Sequence, residues 1–134
     1  YRKSNAVVTG SNVTTVSYEK IETEMYHLFK RHESLFDIWN DKRDIEKFKA
    51  LSESHQEITS IHPFPDGNGR MSRFLLNWIL KINTLPFMII SLDKKKEYLE
   101  SLSQADDWNF EPLSFLFIES IYNSINTFII KYNV

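Results

Sequence analysis

Between His62 and Arg70 the chain places two of its four prolines and two of its three glycines, and on both sides apolar residues recur at steps of three and four. Proline lacks the backbone donor that a helix interior needs, and glycine admits dihedrals closed to other residues. The segment Ile61-His62-Pro63-Phe64-Pro65-Asp66-Gly67-Asn68-Gly69-Arg70-Met71-Ser72-Arg73-Phe74 must therefore end one helix and open the next. With so few breakers elsewhere, helix is expected to follow helix, and the fold class is all-α.

Upstream of the break, the stretch from Ser17 to His32 sets Ile21, Met25, Leu28 and Phe29 at helical spacing, with Ser17 as the N-cap. The next stretch carries Ile45, Phe48, Leu51, His55, Ile58 and Ile61 on one face. Downstream, a helix opens around Gly67 to Gly69, "DKKKEYLESLSQA" gives an amphipathic one, and Glu111 to Tyr132 gives a long apolar one. The second half of that last helix is apolar on most sides, so it is expected to be buried or to pack on a missing segment. Residues 1–12 place Val7 and Val8 before Thr9-Gly10-Ser11-Asn12 and read as a short β-hairpin arm closed by a turn. At 134 residues the chain reads as a single domain, 1–134, long enough to bury a core. It begins at Tyr1 rather than Met, so it is expected to be a piece of a longer product.

Without cysteine, disulfides and thiolate metal sites are excluded. The net charge of −2, from 16 basic and 18 acidic side chains, creates no global field for nucleic acid, so any anion site has to be local. The longest uninterrupted apolar runs, such as "LPFMII", fall short of a membrane span, and no signal-peptide pattern opens the chain. A soluble cytoplasmic domain is the expectation, with neither a nucleic-acid nor a membrane partner.

The loop supplies a set of chemical parts. Backbone N–H groups at the mouth of a helix lack intrahelical acceptors, and the helix dipole adds positive potential there. Gly67 and Gly69 let an anion approach those groups. Arg70 and Arg73, three apart, share one helix face and can clamp a polyphosphate. Arginine at a helix N-terminus is opposed by the dipole, which makes an anionic partner the better account of both. Asp66 stands where it can hold a Mg²⁺ ion that bridges phosphate oxygens. His62 is a base able to take a proton from a hydroxyl near neutral pH. These are the parts of a phosphoryl or nucleotidyl transfer, in an order that is neither a Walker loop nor a dinucleotide fingerprint.

Residues 62–73 resemble, position for position, the Fic-domain signature H-P-F-x-[D/E]-G-N-G-R-x-x-R. The resemblance implies an all-α helical bundle with a short N-terminal β-hairpin flap, here 1–12. It implies transfer of AMP from Mg²⁺-ATP to a Ser, Thr or Tyr hydroxyl of a target protein, with release of pyrophosphate. On that resemblance His62 is the base, Asp66 the Mg²⁺ ligand and Phe64 the buried anchor of the loop. Gly67, Asn68 and Gly69 form the anion hole with the Asn68 side chain on the α-phosphate, while Arg70 holds the β-phosphate region and Arg73 the γ-phosphate. Tyr98 matches the tyrosine that lines the family's nucleobase pocket, and Val7 or Val8 would pin the target segment by strand addition. Asp106 stands where the family often has asparagine, which leaves base preference open.

Doc-type kinases replace the second glycine by lysine, so retention of Gly67 and Gly69 favours nucleotidyl transfer. A Doc-like protein kinase, or a non-catalytic nucleotide-binding regulatory module, is the alternative. The family's inhibitory helix carries [S/T]-x-x-x-E-[G/N]; the nearest string here, Thr15 to Glu19 followed by Lys20, has the wrong place and the wrong ending. An inhibitory helix in a missing segment, an antitoxin-like partner, or no inhibitor all stay open. His55 reads as a packed, hydrogen-bonded residue, His27 and His32 as surface or helix-end residues, and Trp39, Trp78 and Trp108 as core or interface.

Overall fold

A computed structural model describes residues 1–8, 14–37 and 43–132. After a short 3₁₀ turn at Tyr18–Lys20, the described chain forms α1 (Ile21–Asp37), α2 (Asp44–Ile61), α3 (Asn68–Ile82), α4 (Lys95–Asp106) and α5 (Glu111–Tyr132). Helix α2 packs against α1, α3, α4 and α5, so it is the axis of the bundle. Two apolar clusters explain why. Leu51 joins Leu76, Leu80, Leu113 and Phe117 on one side. Ile58 and Ile61 join Ile21, Met25 and Leu28 on the other. Each fully buried side chain of this kind contributes roughly 1.5–3 kcal/mol, and those at the end of α2 anchor the residue that follows, His62.

The all-α expectation holds, with shifts in which side chains face inward. The buried face of α1 is Ile21, Met25, Leu28 and His32, while Phe29 is exposed. Steps of four, three and four from Ile21 reach His32, and Phe29 falls one residue off that stripe. His32 is therefore a core residue and not the surface or helix-end residue the sequence implied. Its Nε2 has no hydrogen-bond partner among the described residues. Burial, and secondly the Arg31 charge, push its pKa below the usual histidine range. His27 is exposed as expected. On α2, Ile45 is exposed, and Ser17 makes no side-chain cap, its carbonyl instead accepting the Lys20 N–H at 2.9 Å.

The hairpin flap is only partly within view, because its turn, Thr9 to Asn12, lies outside the described residues. What is described is one antiparallel bridge, Val7 to Thr14, and no strand ladder. The arm thus reaches past residue 12, and its return limb is tied to α2 by the Val16 N–H donating to the Ser60 carbonyl at 3.4 Å. Trp39 also lies outside the described residues.

Helix α5 divides in two. Leu113, Leu116, Phe117 and Ile121 are buried, whereas Phe128, Ile129 and Ile130 are exposed, so of the two expectations for the second half burial fails and packing on a missing segment stays an expectation. Over Glu111–Lys131 this helix is long and apolar enough to cross a membrane by length and composition only, a property that core helices share. Trp108, expected in a core or interface, is exposed in the turn before α5.

Candidate active site

The loop begins where α2 stops. His62 caps that helix in the left-handed region, at φ 51° and ψ 58°, with its N–H donating to the Ile58 carbonyl at 3.0 Å. A non-glycine residue there is disfavoured by about 1–2 kcal/mol, so its surroundings must hold it. On the other side of the residue they do. Arg2, only 5% exposed, donates from Nε to the His62 carbonyl at 2.7 Å, and its own N–H donates to the Pro63 carbonyl at 2.8 Å.

Asn68 closes the loop upon itself. Its Oδ1 accepts the Phe64 N–H at 2.9 Å, its Nδ2 donates to the Phe64 carbonyl at 2.7 Å, and the residue is 4% exposed. The side chain expected on a phosphate thus spends its polar atoms on the backbone across the turn. Phe64, the expected buried anchor, is only half-buried, with Tyr1 6.0 Å away ring to ring. Pro63 and Asn68 are the buried parts of this segment.

Helix α3 opens at this point. Its first bond runs from the Met71 N–H to the Gly67 carbonyl at 2.9 Å, which leaves the amides of Asn68, Gly69 and Arg70 without intrahelical acceptors. Gly67 takes φ 83°, a left-handed conformation that favours glycine. Gly69 is helical, and a Cβ there would meet Arg73 Nη1 at 3.4 Å, an ordinary contact with the tip of a flexible side chain.

The charged groups divide by exposure. Asp66 accepts the Gly67 N–H on Oδ1 at 2.6 Å and pairs through Oδ2 with Arg70 Nη2 at 3.2 Å, both side chains being largely in water. Arg73 leans the other way and is half-buried, its guanidinium carbon 5.9 Å from the Tyr98 ring centroid. The two arginines, expected to act from one face, have different neighbours, Asp66 for Arg70 and the Tyr98 ring for Arg73. Tyr98 is itself buried at 7% exposure, and its hydroxyl meets His55 Nε2 at 2.8 Å. His55 is packed as expected, edge-on to Phe117 at 5.3 Å. Burial first, and the Arg73 charge second, lower its pKa to about 3, so it is neutral at ordinary pH. Burial raises the Tyr98 phenol while Arg73 opposes that shift.

No cluster of three or more metal-ligating side chains occurs among the described residues. A lone accessible carboxylate fits Mg²⁺, which is commonly held by one or two carboxylates together with substrate phosphates and water. Asp66 is the accessible carboxylate of this loop.

One concavity is lined by the loop, and a second lies beyond it. An open groove of about 510 Å³ runs along Phe64, Asp66, Gly67, Arg70 and Phe74. A cleft of about 750 Å³ lies between the arm, α1, α2 and the turn into α5, lined by Thr14, Arg31, Gln56, Ser60, Asp106 and Trp108. In it Asp106 accepts a hydrogen bond from Gln56 Nε2, and its pKa is raised, by burial first and by the Asp107 charge second. Tyr98, expected on a base-pocket wall, lies in the core beneath Arg73. Val7 is exposed and Val8 half-buried on the outgoing limb of the arm.

A family model described as the Fic/DOC family matches residues 1–80, more than half of the chain. The chain belongs to the Fic/DOC family. Among curated relatives, the protein adenylyltransferase Fic of Nematostella vectensis is 42% identical over 66 residues, covering 49% of this chain and 15% of that protein. The protein adenylyltransferase fic-1 of Caenorhabditis elegans is 30% identical over 88 residues, covering 64% of this chain and 17% of that protein. The chain thus spans under a fifth of the length of these relatives. Among solved structures, a Fic domain containing signaling protein from Bacteroides thetaiotaomicron superposes with a TM-score of 0.74 at 26% identity, over 93% of this chain and 53% of that one. A single-substitution variant of Fic-1 from C. elegans gives 0.72 at 27% identity, over 92% and 36%. Within this family fold, what sequence reading missed is Arg2: it lies outside every helical pattern, and nothing local marks it as buried.

Proposed function

We propose that this Fic domain is a protein adenylyltransferase that transfers AMP from ATP to a hydroxyl of a target protein. The observation that carries the reading is the open mouth of α3, with three amides lacking intrahelical acceptors directly after a constrained histidine and beside an accessible carboxylate and arginine. The names of the curated relatives support the activity.

In this reading the amides of Asn68, Gly69 and Arg70 receive the α-phosphate, and the Asn68 side chain keeps the loop in the shape that presents them. Arg70 and Arg73 neutralise the leaving phosphates, with Tyr98 beneath Arg73 setting its height. Asp66 would hold Mg²⁺, whose charge offsets that of the phosphate oxygens when bound. His62 takes the proton as the target hydroxyl oxygen bonds to the α-phosphorus; the bond from that phosphorus to the bridging oxygen breaks, and pyrophosphate leaves. Val7 and Val8 offer backbone to an extended target segment.

The test is incubation of the chain with a cell lysate and ATP radiolabelled on the α-phosphate. Label should pass to protein, and His62→Ala should abolish transfer. Label moving only from the γ-phosphate would instead establish a Doc-like kinase, and ATP binding without any transfer would establish a regulatory module.

A further inference from the structure

We infer that Arg2 is a positioning residue, one that locks the backbone of His62 and the target-docking arm into a single frame. Its kinetic part rests on the adenylyltransferase reading; its structural part does not.

The guanidinium is buried, and every hydrogen bond it makes among the described residues goes to a backbone carbonyl. Nε reaches His62 at 2.7 Å, Nη1 reaches Ser4 at 2.6 Å, and Nη2 reaches Val16 as well as Ile61 at 3.4 Å. The Arg2 N–H completes the set on Pro63 at 2.8 Å. Three segments thereby converge on one side chain: the outgoing limb at Ser4, the return limb at Val16, and the last turn of α2 with the residues that follow it.

A buried cation without a counter-ion is costly unless its donors are satisfied. Here they meet the carbonyls a helix C-terminus leaves open, where a positive charge is also favoured by the dipole. His62 sits in a disfavoured conformation with its N–H bound to Ile58 and its carbonyl bound to Arg2, so the side chain of Arg2 controls ψ of the histidine. Rotation about ψ swings the loop relative to the ring, and misplacement of a base by about 1 Å can reduce rate on the order of 100-fold. Lysine keeps the charge but brings its donors to one point, so it cannot span all three segments.

The experiment compares Arg2→Lys and Arg2→Gln with Thr15→Val. The last removes the arm's own bond from Thr15 Oγ1 to the Ala6 carbonyl, 2.6 Å, and leaves Arg2 intact. Amide hydrogen exchange, ATP binding by calorimetry and α-phosphate label transfer are measured on each. Both Arg2 variants should retain the helical circular dichroism and hold ATP affinity within about threefold, while transfer at saturating ATP falls about tenfold or more. Exchange should accelerate at the amides of residue 2, Val16 and His62. Thr15→Val should leave exchange at His62 at the wild-type rate, which assigns any acceleration there to Arg2 itself. Wild-type rates in the Arg2 variants overturn the inference, as does a parallel fall in rate and ATP affinity. Should Arg2→Gln unfold, the lysine variant decides. Should the wild-type chain transfer no label, the adenylyltransferase reading fails, and exchange at His62 alone decides for Arg2: accelerated exchange upholds it and unchanged exchange overturns it.

Discussion

The loop at the mouth of α3 has a stitched side and an open side. On the stitched side, the buried side chain of Asn68 binds both backbone groups of Phe64, and the buried side chain of Arg2 binds the carbonyl of His62. On the open side, Asp66 and Arg70 face each other across 3.2 Å with most of their surface in water. The difference separates two tasks. Amides and a base must stand in place before a ligand arrives, so buried hydrogen bonds fix them. Charges that meet a charged ligand do better in water, where they carry little desolvation penalty until a partner replaces the solvent.

The largest effect is expected on the stitched side. Asn68→Ala leaves the N–H and carbonyl of Phe64 without their partner, and each unsatisfied group costs about 1–3 kcal/mol when shielded from water. A loss of roughly 2–4 kcal/mol follows, a large share of the stability of a domain this size. Urea unfolding followed by circular dichroism measures it. A midpoint equal to wild type would show that the loop holds its shape without the stitch, and the comparison would break.

The next effect lies beneath the loop, where Arg73 and Tyr98 face His55. The pKa of His55 is lowered to about 3 in the folded protein, by burial and then by the Arg73 charge, against an ordinary value near 6.5. Between those values the unfolded chain binds the proton that the folded chain refuses. The stabilisation is therefore fully present above about pH 6.5 and is lost as pH falls toward 3, by up to about 1.4 kcal/mol per unit. His32, lowered by burial, acts in the same direction. Unfolding midpoints should fall between pH 7.5 and 5, and His55→Gln should give a shallower slope whatever its absolute stability. An unchanged slope would assign the effect to His32 and the carboxylates.

What could be read in advance follows the range of the interactions. The breakers between two helical patterns reveal where α2 stops and α3 starts, because proline and glycine act on their own backbone. The buried stripe of α2 through Leu51, His55, Ile58 and Ile61 is likewise periodic. His32 escaped because a histidine on an apolar stripe looks polar until the neighbouring helix is in place. Whether Phe128 to Ile130 are buried within the domain stayed open because composition does not say how far a neighbour extends. Arg2 escaped because, Ser4 apart, the carbonyls its side chain reaches lie 14 to 60 residues away, and every residue type offers one. The same is true of Asn68: its motif position names it as an anion-hole residue, while its bonds to Phe64 appear only in three dimensions.

The smallest change in stability is expected on the open side. Asp66→Asn keeps an oxygen that can accept the Gly67 N–H and removes only the negative charge facing Arg70. Because that pair is solvent-exposed, its loss should leave the urea midpoint unmoved. Function should respond differently, since an amide is a poor ligand for a hard cation beside phosphates: label transfer should fall and require more Mg²⁺. The two readouts together sharpen the division of labour. If Asp66→Asn lowered the midpoint as far as Asn68→Ala does, the open side would be part of the scaffold. If it changed neither stability nor the Mg²⁺ requirement, the carboxylate would not be the metal's ligand, and the open side would reduce to the arginines alone.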